Sequence, residues 1–180
     1  VLQKAGQDVV NFLDTGIGLI EITHRSKEFM KVAEDAEAAL RDLLAIPENY
    51  KVLFLQGGAS SQFFMVPMNL LGGTKKATYL NTGTWSKKAI KEAKLFGDIN
   101  VAYSSEESSF NRVPVHGEYN VAEDSEYLYY VSNNTIYGTQ FADLPKSHAM
   151  LVSDMSSDIL SRPVDVSKFG IIFAGAQKNL

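Results

Sequence analysis

Near the end of the sequence, Ala174-Gly175-Ala176-Gln177-Lys178-Asn179 puts a lysine behind small residues and just past an apolar run. An amine partly desolvated at such a place is a nucleophile toward carbonyl carbon, whereas a lone lysine in water is only a surface charge. Two dozen residues earlier, Asp154 follows Leu151-Val152-Ser153. A carboxylate there can cap a helix, bind a metal or hold a cationic ring nitrogen. No clustered histidine or carboxylate stands nearby in sequence, which argues against a metal. Gly57-Gly58-Ala59-Ser60-Ser61 has the small residues that let backbone N–H groups at a helix start approach a phosphate, although most such turns are only turns. Trp85, the single tryptophan, can stack on a flat ring or pack a helix onto a sheet. Ser132-Asn133-Asn134-Thr135-Ile136-Tyr137-Gly138-Thr139 offers amides and hydroxyls that can serve a ligand or their own backbone.

The elements that must position these residues alternate between apolar runs and helical stretches. Helical spacing of apolar residues begins at Val1–Val10. It is clearest from Ser26 to about Ala45, where Phe29, Val32, Ala36, Leu40 and Leu43 share a face opposite Glu34, Asp35 and Arg41, and Pro47 ends the run. Residues 51–55 read as a strand, followed by an apolar helix through Phe63 and Leu71 that Pro67 should kink, or whose first turn it should shorten. Strands are expected at 77–80, 100–103, 127–131, 149–153 and 170–174, with a helix over 86–96 and an irregular polar stretch over 104–125. Short apolar strands separated by helices or long connections define an α/β fold with a mainly parallel sheet covered on both faces, a three-layer arrangement. In such sheets ligands bind beyond the carboxyl ends of the strands, which is where the residues above fall.

Composition bounds the rest. The 180 residues, 45% hydrophobic and 21% charged, suit one globular domain. A net charge of −4 gives no basic surface for nucleic acid or an anionic membrane. No apolar run approaches the roughly 18 residues that span a bilayer, and no apolar leader opens the sequence. Cysteine is absent, which removes disulfides and thiolate chemistry and fits a cytoplasmic setting. Both ends read as cut from a longer protein.

Taken together, the residues match the parts that pyridoxal 5'-phosphate requires: an amine, an acid opposite the pyridine nitrogen, a stacking group and a phosphate cup. Lys178, Asp154, Trp85 and Gly58-Ala59-Ser60 would supply them. The acid keeps the ring able to accept electrons, and the freed lysine moves a proton at the substrate Cα.

The segments Thr23-His24-Arg25-Ser26-Lys27-Glu28-Phe29, Leu55 to Phe63, Asn81-Thr82-Gly83-Thr84-Trp85, Ser132 to Ile136, Asp154 to Pro163 and Ala174 to Asn179 occur in that order over nearly the whole chain. In these the sequence resembles the phosphoserine aminotransferases, class-V aminotransferases that depend on pyridoxal phosphate. The resemblance implies the large cofactor-binding domain of the aspartate-aminotransferase fold (fold type I), over residues 1–180, with the C-terminal small domain absent. It implies a homodimer acting on small molecules, with amino-group exchange between glutamate and 3-phosphohydroxypyruvate that yields phosphoserine and 2-oxoglutarate in serine biosynthesis. It makes Lys178 the Schiff-base lysine, Asp154 the pyridine-nitrogen partner, Trp85 the stacking residue and Ala59 with Ser60 the phosphate-loop pair. Thr135 and Gln177 become further cofactor contacts, and Arg25, with His24 beside it, a holder of a substrate carboxylate through bidentate pairing.

Some family members carry an arginine in the phosphate loop where this sequence has Ser60. The resemblance makes residues 1–180 about half of a family chain, a piece not expected to be active alone. Other fold-type-I enzymes, such as serine–glyoxylate type aminotransferases and cysteine desulfurases, share the lysine, acid and phosphate cup. A nucleotide-binding module is disfavoured, since neither G-x-G-x-x-G nor a P-loop is present.

Overall fold

In the computed structural model, which describes residues 1–72 and 75–180, the chain forms two compact units, Val1–Val52 and Leu53–Leu180. The first holds helices α1 (Leu2–Val10) and α2 (Lys27–Leu44), close to the expected bounds. Ser26 caps α2 by accepting from the Phe29 N–H at 3.1 Å, and Ala45 closes it in the left-handed conformation (φ 48°) two residues before Pro47.

The second unit is built around a parallel sheet. Helix α3 (Gly58–Leu70) precedes strand β1 (Lys76–Asn81), helix α4 (Thr84–Ala93) and strand β2 (Asp98–Ser104). Strand β3 (Tyr127–Val131), a short hairpin of β4 (Asn133–Asn134) and β5 (Thr139–Gln140), β6 (Met150–Asp154) and β7 (Phe169–Phe173) follow. The five long strands lie in the order β2-β1-β3-β6-β7, all parallel. The chain runs outward from β1 to β2, then crosses back to β3, so the winding direction reverses between β1 and β3. That reversal opens a crevice at the carboxyl ends of the strands.

Every residue of β3 is buried, as expected for a strand covered on both faces. Alternate residues Tyr79, Tyr129, Val131, Val152 and Phe173 face α3 and α4, and with Phe63, Val66, Ala89, Ile90 and Ala93 of those helices they form the core. Phe63 meets the Phe173 ring edge-on at 6.4 Å, which docks α3 on β7. Tyr79 stacks on Tyr129 at 4.6 Å between ring centres, and its hydroxyl pairs with that of Tyr127 at 2.8 Å. Burial pushes the Tyr127 phenol up to about 12 and Tyr129 well above its ordinary value, so these hydroxyls stay neutral.

Three expectations need correction. Residues 51–55 are not a strand: they are irregular, with Leu53, Phe54 and Leu55 exposed at 70, 58 and 52%, and pair with no strand among the described residues. A short apolar run has strand propensity, but propensity alone does not supply a pairing partner, so the glycine turn after it follows a loop. Helix α4 starts two residues earlier than expected, which places Trp85 inside its first turn. Pro67 falls in the last turn of α3, and the helix ends three residues later. Phe63 is 4% exposed, so Phe63→Ala is expected to destabilise the protein by about 3–5 kcal/mol in urea unfolding through the cavity it leaves.

Candidate functional site

At the β1/β3 reversal lies a cavity of about 300 Å³, large enough for a small flat ligand. Seven of the residues singled out in the sequence line it: Ala59, Ser60, Trp85, Thr135, Asp154, Gln177 and Lys178. All belong to the Leu53–Leu180 unit. His24 and Arg25 belong to the other unit, both exposed, in the turn ahead of α2.

Each wall has a local cause. The first turn of α3 presents Gly58, Ala59 and Ser60 to the cavity, with backbone N–H groups that have no partner inside the helix. Gly57 makes that start possible. It sits at φ 92°, and a Cβ there would lie 2.2 Å from the Ser61 hydroxyl, which donates to the Gly57 carbonyl at 2.9 Å. The turn into α4 is tied by Ser86, fully buried, whose Oγ accepts from the N–H groups of Thr82 and Gly83 at 2.9 and 3.0 Å. One turn along α4, the Lys88 ammonium stands 4.8 Å from the centre of the Trp85 indole.

Asp154 ends β6 on the same sheet face as Val131, its partner in the β3–β6 register. It is 4% exposed, and its Oδ1 accepts from the Ser156 N–H at 2.9 Å. Burial is the main influence and lifts the carboxyl above its ordinary value, aided by neighbouring Asp158. The Ser156 bonds and the charge of Lys178 pull the other way. The Ser156 hydroxyl in turn accepts from the Gly175 N–H at 3.0 Å, tying the turn after β6 to the loop that carries Lys178.

Lys178 donates through Nζ to the Thr135 hydroxyl at 3.2 Å. It is exposed, where partial desolvation of the amine was expected. Its orientation comes from Thr135 instead of from burial. The polar loop after β3 folds as the β4–β5 hairpin, and this was not foreseen. Asn133 lines the cavity and bonds Ser157, with Nδ2 donating to the Ser157 Oγ at 2.8 Å. Asn134, 1% exposed, donates to the Thr82 carbonyl. The paired asparagines were the available signal, since buried amides are kept where they are bonded. Val131, Phe63 and Ala176 also line the cavity and carry no signal beyond apolarity or small size. Among the described residues no three His, Asp or Glu side chains converge as a metal site.

The parallel α/β sheet brings a lysine, a buried acid, an indole and a helix start together at its switch point, and the sequence matches the class-V aminotransferase family model over residues 3–180. The chain belongs to that family. Among curated relatives, phosphoserine aminotransferase of Desulfotalea psychrophila is 74% identical over the whole chain, and that of Laribacter hongkongensis is 55% identical. Each alignment takes in 50% of the relative, so the chain spans about half the length of the curated relatives it matches. The solved phosphoserine aminotransferase from Bacillus circulans subsp. alkalophilus superposes with a TM-score of 0.93 at 47% identity, over 99% of this chain and 50% of that one. A pyridoxal-phosphate-bound phosphoserine aminotransferase from Trichomonas vaginalis gives 0.88 at 40% identity, over 99% and 53%. The fold is that of the fold-type-I aminotransferases.

The raised carboxyl of Asp154 has a consequence for stability. The native state holds that proton more tightly than the unfolded chain, so stability falls as pH rises from the ordinary carboxylate range through the raised value. In cofactor-free protein, Asp154→Asn is expected to raise the melting temperature at pH 7 by about 2–4 °C, what relief of about 1 kcal/mol gives at this size. Calorimetry across pH checks it: variant and wild type should converge in acid.

Proposed function

We propose that the full-length protein is a phosphoserine aminotransferase, transferring an amino group between glutamate and 3-phosphohydroxypyruvate with pyridoxal 5'-phosphate as cofactor. The observation that carries the reading is that Lys178, Asp154, Trp85, Thr135 and the start of α3 line one cavity at the switch point, in a chain 74% identical to a protein of that name.

The residues present fit the cofactor. A carboxyl buried at some cost is suited to a cationic ring nitrogen, which would offset its desolvation. The start of α3, with Ser60 added, is suited to a phosphate without a cationic side chain in the loop. Trp85 would cover one ring face, Thr135 and Gln177 would bond its polar edge, and Lys178 would attach it. When bound, the cofactor supplies an aldehyde that captures an amine and a ring that accepts electrons from carbon. Around it, Asp154 holds a proton on the ring nitrogen, and Lys178 Nζ moves a proton at the substrate Cα, aimed by the Thr135 hydroxyl. Arg25, with His24 beside it, holds a substrate carboxylate.

The two units form part of one large cofactor-binding domain, and a smaller C-terminal domain outside these 180 residues completes the protein. The functional form is a cytoplasmic homodimer whose small-molecule substrates are glutamate and the phosphorylated keto acid or its product phosphoserine. Neither nucleic acid nor membrane is a partner. No described helix is long and apolar enough to cross a bilayer.

The full-length protein should release 2-oxoglutarate from glutamate and 3-phosphohydroxypyruvate, and no product would sink the assignment in favour of another fold-type-I reaction. Lys178→Ala should lose the visible absorbance of bound cofactor on dialysis and at least about a thousandfold in kcat, the scale on which removal of a nucleophile is felt. Arg25→Ala should raise the KM for glutamate about tenfold or more while leaving that absorbance intact, since a charge-assisted bond contributes about 1.5–3 kcal/mol. An unchanged KM would remove Arg25 from the site.

A further inference from the structure

The stretch that begins at Asp154 continues Met155-Ser156-Ser157-Asp158-Ile159-Leu160-Ser161-Arg162, and nothing in the proposed chemistry accounts for its second half. Asp158 is 7% exposed and lies outside the residues that line the cavity. A carboxylate that deep is costly unless its oxygens are bonded, so its partners indicate what it is for. They are on the two arms of the β4–β5 hairpin. The Ser132 hydroxyl, at the entry, donates to Oδ1, and the Gln140 amide, at the exit, donates to Oδ2 at 3.0 Å. Four residues on, Arg162 donates to the carbonyls of Phe141 and Ala142 at 2.6 and 3.0 Å, just past the same exit. The ladder of this hairpin is only two residue pairs long, far short of what holds an isolated hairpin in water.

The hairpin turn begins with Thr135, whose hydroxyl accepts from Lys178 Nζ. We infer that Asp158 is a positioning residue: by bonding both arms of the hairpin it fixes Thr135, and through Thr135 the direction of the Lys178 amine and the polar edge of the cofactor. Arg162 supports the same clamp from the exit arm. The inference rests on the cofactor reading for its purpose, while the clamp itself is a property of the protein without cofactor.

Two measurements on the full-length protein separate the clamp from its purpose. In cofactor-free protein, amide hydrogen exchange over residues 133–140 should rise about tenfold or more in Asp158→Ala, with β3 and β6 unchanged, because local opening is governed by local bonds. Gln140→Ala, which removes only the exit-arm bond from a less buried position, should show a smaller rise over the same residues. It also keeps the test open if Asp158→Ala folds poorly. In the presence of pyridoxal phosphate, the cofactor dissociation constant should rise about tenfold in Asp158→Ala, the scale seen when an outer-layer partner of a bound group is removed. Asp158→Asn, which keeps an acceptor for Ser132, should show a smaller rise. Because Asp158 is inferred to act through Thr135, the double variant Asp158→Ala/Thr135→Ala should bind no more weakly than Thr135→Ala alone. Unchanged exchange over 133–140 in both single variants would overturn the clamp. Additive losses in the double variant would overturn its action through Thr135. A wild type that binds no pyridoxal phosphate would sink the cofactor reading, with the exchange result still deciding the clamp.

Discussion

The buried amide of Asn134 donates to the carbonyl of Thr82, and much of the site depends on that contact. It ties the hairpin that follows β3 to the turn that follows β1, across the point where the sheet reverses direction. Gly83 is required for it, since a Cβ there would lie 2.2 Å from the Asn134 amide. With the two strand ends held together, α4 starts where Trp85 lines the cavity. Ser132 and Asn133 meanwhile reach the opposite way, to Asp158 and Ser157. The hairpin is thus a bracket with Trp85 on one side, Asp154 on the other and Lys178 at its tip. The asparagine carbonyl oxygen is buried without a partner, so the bracket costs stability as well as conferring it.

The sheet supplies what the bracket cannot. Strands β3 and β6 run parallel in continuous register from Tyr127↔Met150 to Val131↔Asp154, so the end of β6 is fixed relative to the hairpin by four preceding pairs. Beneath it, Tyr79, Tyr129 and Phe173 stack in sequence across three strands. Aromatic rings bury large areas with few rotatable bonds, which makes this layer a stiff floor. Polar groups are concentrated at the carboxyl ends, where the unit spends part of the stability that the apolar layer provides.

The parts of the fold that were legible in the sequence are those held by that layer. Apolar runs at 77–80, 100–103, 127–131, 149–153 and 170–174 each fall on a strand to within a residue; in β3 burial on both faces demands near-continuous apolar sequence, whereas the edge strand β2 is largely exposed. The run at 51–55 has the same composition and is irregular, because composition does not report whether a sheet edge is available. The hairpin was invisible for a different reason: two-residue strands made of asparagine, threonine and glutamine have no periodicity to read. Within the site, Asp154, Lys178 and the segments of Trp85 and Thr135 could be placed by type after strands, whereas the glycine turn ahead of α3 follows a loop. The residues that orient them, Asn134, Ser86, Ser156 and Asp158, look like ordinary loop polarity until their partners, one of them 52 residues away, are known.

The burial of Asp154 sets stability against function. A protein selected for stability alone would not keep a desolvated carboxyl at the end of β6, least of all with a second buried acid, Asp158, four residues on. The neighbouring Asp158 adds to the cost that burial puts on Asp154, and the Ser156 bonds and the charge of Lys178 pull the other way without cancelling it. A cation entering the cavity would offset the cost at Asp154. A pyridine ring that takes up a proton would be such a cation, its nitrogen facing the one acid that lines the cavity while the other stays committed to the hairpin. On this argument the two carboxyls divide the work. Asp158, with both oxygens bonded, stabilises the bracket before any ligand arrives, and Asp154 stores a cost that ligand binding removes.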